Sequence, residues 1–288
     1  MIINWLLAAR PKTLIAGLSP ILIGTGLAMK SGQFNAVTMT LALVGAISVQ
    51  IGTNFCNDYC DFFQGADTDE RKGPTRAVQS GAISPRAMLI ATVLMFAITG
   101  LSAFCLFLHA GWLFLVIGAF SILFGVLYTA GKFSLAYQGL GDPFVLVFFG
   151  PVAVAGTYYV QALELTPAVV IAGFGPGLLA VGLLVVNNLR DVEEDRAADK
   201  RTLVVRFGIP ISRYQYALCV LVAATVPVLV AALNSTWWVS LASLVFLPGV
   251  FVIRRVWRSE GIELRPCLGM TAGLLVLYTA LFCVGLSL

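Results

Sequence analysis

The sequence predicts an all-α membrane protein, and three observations carry that prediction. Hydrophobic residues make up 59% of the 288 residues, charged residues only 11%, and mean hydropathy is +0.93, far outside the range of soluble domains. Charge-free runs long enough to cross a bilayer recur along the chain. The acidic residues crowd into two short stretches between such runs. A soluble two-domain protein is excluded, because its polar surface could not cover so large a core.

Taken in order, the apolar runs predict nine spans in one domain covering 1–288. They fall at roughly 13–30, 36–56, 87–108, 111–129, 141–160, 167–188, 213–232, 236–254 and 267–288. Arg10 and Lys12 precede the first run, which reads as a retained helix rather than a signal peptide. Two uncharged runs of about forty residues each exceed one helix and must be two. They divide at His109-Ala110-Gly111 and at Asn234-Ser235-Thr236. Glycines within the spans let helices approach closely. Trp112 and Trp237-Trp238 fall at span ends and read as interfacial anchors. The six cysteines are scattered in or beside apolar runs and read as small buried residues.

Charge placement sets orientation. Of the 18 Lys and Arg residues, 17 fall before the first span or in alternate loops, with Lys30 the exception. The positive-inside rule places those loops in the cytoplasm, the N-terminus inside and the C-terminus outside an inner membrane. The acidic residues share that side, apart from Glu164. Orientation follows Lys and Arg alone, so one-sided carboxylates need another cause.

That cause is read from two stretches, Asn54 to Arg76 (NFCNDYCDFFQGADTDERKGPTR) and Asn187 to Arg206 (NNLRDVEEDRAADKRTLVVR). Laying Asn57-Asp58 over Asn187-Asn188 aligns Asp61 with Asp191, and four spans separate the two stretches. The pattern suggests a parallel internal repeat, spans 1–4 on spans 5–8. Asp58 and Asp61 are three apart, Asp191 and Asp195 four apart, so each pair is expected on one helical face at a span's end. Carboxylates there are costly in lipid and opposed by the helix dipole. A hard cation such as Mg²⁺ removes both penalties, and Mg²⁺ shares its shell with phosphate oxygens. Asp67 lies past Gly65, on a loop that can fold back to join them. Arg76, Lys132, Arg190, Lys200 and Arg201 suit the phosphates, and Asn54, Asn57, Asn187 and Asn188 add neutral oxygens and amide donors. Glu70, Glu193, Glu194, Glu260 and Glu263 read as solvated charges. Nothing calls for a nucleic-acid partner.

NDYCDFFQGAD at 57–67, with RKGPTRAVQSGAIS at 71–84, resembles the first motif of the UbiA-type intramembrane prenyltransferases. NNLRDVEEDRAADKRTLVVRFG at 187–208 resembles the second motif of the branch that prenylates 1,4-dihydroxy-2-naphthoate in menaquinone biosynthesis. RPKTL at 10–14, YTAGK at 128–132 and YQGLGDPFVLVFFG at 137–150 resemble further segments in the same order. The resemblance implies nine transmembrane helices around a central cavity, capped on the cytoplasmic side by the two Asp-rich motifs. It implies Mg²⁺ on Asp58, Asp61, Asp67, Asp191 and Asp195, and a polyprenyl diphosphate donor. Asn54, Asn57, Arg76, Tyr128, Lys132, Asn188, Lys200 and Arg201 are the expected substrate-binding residues. Asp142 either orients an acceptor hydroxyl or caps its helix. The expected product is a demethylmenaquinone, formed with loss of CO₂. The same chemistry on 4-hydroxybenzoate or homogentisate, a diphosphate hydrolase, and a transporter are the rival readings. A transporter calls for charges near the middle of spans, which this sequence lacks.

Overall fold

The computed structural model describes residues 2–64, 76–130, 134–135 and 137–288. A short α1 (Ile2–Ala8) leads into α2 (Pro11–Lys30), α3 (Ala36–Gln64), α4 (Pro85–Ala110) and α5 (Leu113–Leu127). Next, α6 (Gly141–Val147) runs through a π-helical turn, Phe148–Val152, into α7 (Ala153–Ala162). Then come α8 (Pro167–Arg190), two short helices α9 (Val192–Ala197) and α10 (Leu203–Phe207), and α11 (Ile209–Asn234). A 3₁₀ segment, Trp237–Val245, opens α12 (Phe246–Arg258), and another, Gly261–Leu264, opens α13 (Arg265–Ser287).

The boundaries follow local chemistry. Pro11, Pro85, Pro167, Pro210 and Pro266 stand in first turns, where the missing N–H costs no hydrogen bond. The side chains of Ser84 and Thr166 accept from the N–H groups of Ala87 and Val169 and cap α4 and α8. The two long uncharged runs divide where expected, at residues of positive φ: Gly111 at 88° and Ser235 at 54°.

Eight helical segments among the described residues are long and apolar enough to cross a membrane. The expected count was nine. The remaining apolar segment is α5, whose 15 residues rise only about 22 Å, short of the hydrocarbon thickness. Large apolar side chains cover the outer surface, among them Leu101, Leu108, Trp112 and Leu247, as lipid demands. The chain is a multi-pass integral membrane protein.

The most enclosed span is α8. It packs on α2, α11, α13 and the π-helical turn. Sequence periodicity gives no sign of that turn, which has a plain cause. Pro151 removes one helical N–H and Gly150 leaves helical geometry (φ −120°, ψ −111°), so the ladder widens rather than breaks. The widened turn crosses α8 glycine on glycine. A Cβ on Gly173 would lie 2.6 Å from the backbone of Pro151, and one on Gly150 2.8 Å from the Gly173 carbonyl oxygen. Residues of α2, α3, α4, α5, α7 and α8, together with the π-helical turn, enclose a cavity.

Gly173→Ala should lower the stability of the detergent-solubilised protein by about 1–3 kcal/mol, because the clash is with backbone. Gly100→Ala, with no atom within 4 Å of its added Cβ, should be neutral or slightly stabilising. Thermal unfolding of the two variants side by side checks both.

Candidate active site

Four polar residues on α3 fall at i, i+3, i+4 and i+7: Asn54, Asn57, Asp58 and Asp61. That spacing makes one stripe, and all four are buried. Their partners differ. Asn54 donates its amide hydrogens to the Ala9 carbonyl, at 2.9 Å, and the Thr13 hydroxyl, at 3.3 Å. It thereby fixes the turn before α2, where Arg10 adopts a left-handed φ of 52°, a strained conformation for a residue that carries a Cβ. Asp58 accepts the Ala77 and Val78 N–H groups on its two oxygens, at 3.0 and 3.1 Å. This anchors the turn at 76–80. The turn sends Arg76 back to Asp61, with Nη2 2.7 Å from Oδ2, in an ion pair buried on both sides.

The second stretch is arranged differently from expectation. Asp191 and Asp195 do not share one continuous helix. Helix α8 ends at Arg190, Asp191 is its C-cap (φ −97°, ψ 12°), and Asp195 lies on α9. The cause is the neighbouring pair. Arg190 turns its guanidinium fork onto the Asp191 carboxylate, with both contacts at 2.6 Å, and reaches Asn187 Oδ1 at 2.8 Å. Adjacent residues meet this way only when the backbone leaves the helix, because i and i+1 side chains diverge on a helix. The break redirects the chain through α9 and brings Lys200 back over the site.

There the two stretches meet. Lys200 Nζ stands 3.5 Å from Asp61 Oδ1 and 5.2 Å from the centre of the Tyr137 ring. Tyr137 is a residue that sequence reasoning left unassigned. Burial, then the charges of Asp61 and Asp195, push its phenol up to about 12. The backbone closes the junction: the Arg201 N–H donates to the Tyr137 carbonyl at 3.0 Å. Arg206 donates to the carbonyls of Gln138, at 2.7 Å, and Arg201, at 2.9 Å.

Below this junction lies the polar end of one cavity of about 890 Å³. Asn54, Asn57, Asp58, Asp61, Arg76, Tyr128, Asn188, Asp191, Asp195 and Lys200 line it. Two expected residues do not. Asp142 is buried and accepts from Gln215 at 2.8 Å, tying α6 to α11. No side-chain cap stands at the start of α6. Arg201 is largely exposed and faces Asp199 at 3.4 Å. Asp67 and Lys132 lie outside the described residues. Arg10, Lys12 and Arg265, which the sequence marked only as orientation charges, also reach the wall. RPKTL was the signal for the first two; nothing local flagged Arg265. Among the described residues the wall carries six cations against four carboxylates, an excess that suits a polyanion. The rest is apolar, and Phe124, Phe144 and Phe148 cluster within it at centroid distances of 4.5 to 6.2 Å.

The donor set fits a hard divalent cation. Asn57 Oδ1 and Asp61 Oδ1 are buried and accept no hydrogen bond, and Asp61 Oδ1 has only the Lys200 charge at 3.5 Å, so both oxygens keep capacity for a cation. Among the described residues, no three His, Cys, Asp or Glu side chains are grouped as a self-sufficient metal site. A shell shared with ligand oxygens is what such a wall can offer.

Comparison with known proteins agrees with this geometry. 1,4-Dihydroxy-2-naphthoate octaprenyltransferase of Escherichia coli (strain K12) is 38% identical, over 99% of this chain and 95% of its own. The Mycobacterium tuberculosis (strain H37Rv) protein of the same name is 40% identical, over 82% and 80%. The fold matches a UbiA homolog from Aeropyrum pernix K1, with TM-score 0.74 at 14% identity over 96% of this chain and 98% of that one. It also matches a UbiA homolog from Archaeoglobus fulgidus bound to GPP and Mg²⁺, with TM-score 0.68 at 15% identity over 97% and 99%. The sequence pattern of the UbiA prenyltransferase family spans residues 17–268, and this chain belongs to that family.

Proposed function

We propose that this protein transfers a polyprenyl group from polyprenyl diphosphate to 1,4-dihydroxy-2-naphthoate, with loss of CO₂, giving a demethylmenaquinone. One observation carries the reading: both acidic stretches line the polar end of a single cavity whose remaining wall is apolar. The name shared by the relatives from E. coli and M. tuberculosis supports the acceptor. In this reading the charged end faces the cytoplasm, as the Lys and Arg distribution requires.

Mg²⁺ would be held by Asp58, Asp61, Asp191 and Asp195, with Asn57 adding an oxygen and Asp67 a further carboxylate. It supplies charge neutralisation where the diphosphate leaves. Arg76, Lys200, Arg10 and Arg190 bind the diphosphate oxygens, and Tyr128, Asn188 and Lys132 complete that set. Charge builds on the leaving group as the allylic C–O bond breaks, and these fixed cations stabilise it most at that point. Phe124, Phe144 and Phe148 present ring faces to the developing allylic cation and keep water from it. The acceptor ring attacks through the carbon bearing its carboxylate and a C–C bond forms. The C–CO₂ bond then breaks, and its electron pair restores the aromatic ring. The apolar length of the cavity receives the isoprenoid tail.

Mass spectrometry of lipid products from purified protein, Mg²⁺, a mixture of prenyl diphosphates and dihydroxynaphthoate tests the assignment. A prenylated, decarboxylated product is expected. Product from 4-hydroxybenzoate or homogentisate alone would overturn the acceptor. Asp61→Asn and Asp191→Asn should each lower turnover by about 10²-fold or more while the protein still inserts, and EDTA should abolish turnover reversibly. Full turnover by either variant at saturating Mg²⁺ would sink the ligand assignment. Arg206→Ala should raise the KM for the diphosphate donor more than it lowers kcat, since it loosens the junction that holds Lys200; Arg206→Lys should recover part of the loss.

A further inference from the structure

A second cavity, of about 460 Å³, lies at the same charged end. The end of α8, the starts of α9 and α11 and the connection from α12 to α13 bound it. Leu189, Val192 and Leu264 form a buried apolar floor. Arg213 is the cation set into this wall. Its Nη2 donates to the Ser259 carbonyl at 2.9 Å and to Glu260 Oε1 at 3.4 Å. Its Nε is buried and meets no hydrogen-bond partner. A guanidinium N–H left without an acceptor beside apolar side chains is costly, and an anionic oxygen relieves it. Glu193 and Glu260 stand at the rim, with side chains 60% and 78% exposed; Glu193 pairs with Arg196 and Glu260 pairs with Arg213 at 3.4 Å, an exposed pairing that water screens. Arg190 lines both cavities and separates them, with its fork committed to Asp191.

We propose that this cavity is a binding site for an amphipathic anion, with a carboxylate or phosphate oxygen on Arg213 Nε and an apolar body on Leu189, Val192 and Leu264. The volume is that of small-ligand sites. Two sources offer this chemistry. One is an aromatic carboxylate of naphthoate size. The other is the headgroup of an anionic phospholipid, drawn to the exposed Arg254, Arg255 and Arg258 of α12. The inference does not rest on the acceptor assignment.

Two probes separate the sources: 2-naphthoate by titration calorimetry, and phosphatidylglycerol against phosphatidylcholine by native mass spectrometry, both on the purified full-length protein. For the matching probe, Arg213→Gln should remove one binding equivalent or weaken it by about tenfold or more. A naphthoate equivalent that survives belongs to the main cavity. Glu260→Gln, an exposed change that spares the fold, should tighten binding by removing a like charge at the rim. Loss confined to naphthoate identifies the carboxylate source, and loss confined to phosphatidylglycerol identifies the lipid. Unchanged binding of both probes in both variants overturns the site.

Discussion

Asp61 is the residue on which the site depends. A carboxylate 2% exposed near the end of a membrane helix has lost most of its hydration, and the helix C-terminus opposes its charge. Two cations from different parts of the sequence offset that cost: Arg76 closes the first acidic stretch and Lys200 lies within the second. The pairings therefore do more than stabilise one ion. They join two segments more than a hundred residues apart, and they keep the cations over the cavity rather than extended into solvent. Breaking one partner of such a buried set costs about 3–5 kcal/mol, since the other charge is stranded.

The cavity is shaped by the opposite chemistry. Lipid gives no hydrophobic reason for helices to associate, so contact depends on close approach. The glycine crossing between the π-helical turn and α8 concentrates that contact on one side of the bundle. Along α3, cavity-lining residues run from Ala42 to Asp61, roughly 29 Å of helix. A ligand with a charged head and a long apolar tail matches both ends of that wall, and neither end alone would select it.

The spans were legible because uncharged runs of this length have almost no alternative in water or lipid. The stripe Asn54-Asn57-Asp58-Asp61 was legible for a related reason: buried polar side chains in a membrane helix need partners, and their spacing names the face. What stayed hidden depended on non-local geometry. The break at Asp191 follows from the Arg190 fork, which no helical periodicity encodes. The place of Arg201 outside the cavity and of Arg265 on its wall is set by tertiary packing of loops. Asp142 looked like a site residue by type, yet its partner is Gln215, 73 positions away. The π-helical turn was written in Gly150-Pro151, but a proline in a span equally permits a kink.

Asp58 and Asp61 illustrate how position within one stripe divides labour between identical side chains. Both are buried and both face the cavity. Asp58 has each oxygen on a backbone N–H, so it can add a cation only through its remaining lone pairs, and its displacement would release the turn that carries Arg76. Asp61 has one oxygen on Arg76 and a second that accepts no hydrogen bond. That second oxygen, which faces Lys200 at 3.5 Å, is the one that would be offered to a divalent cation, and Lys200 would then be free for an accompanying diphosphate. Lys200 thus offsets the Asp61 charge from a position on the cavity wall, and Asp58, by holding the Ala77 and Val78 N–H groups, keeps the turn that carries Arg76 in place.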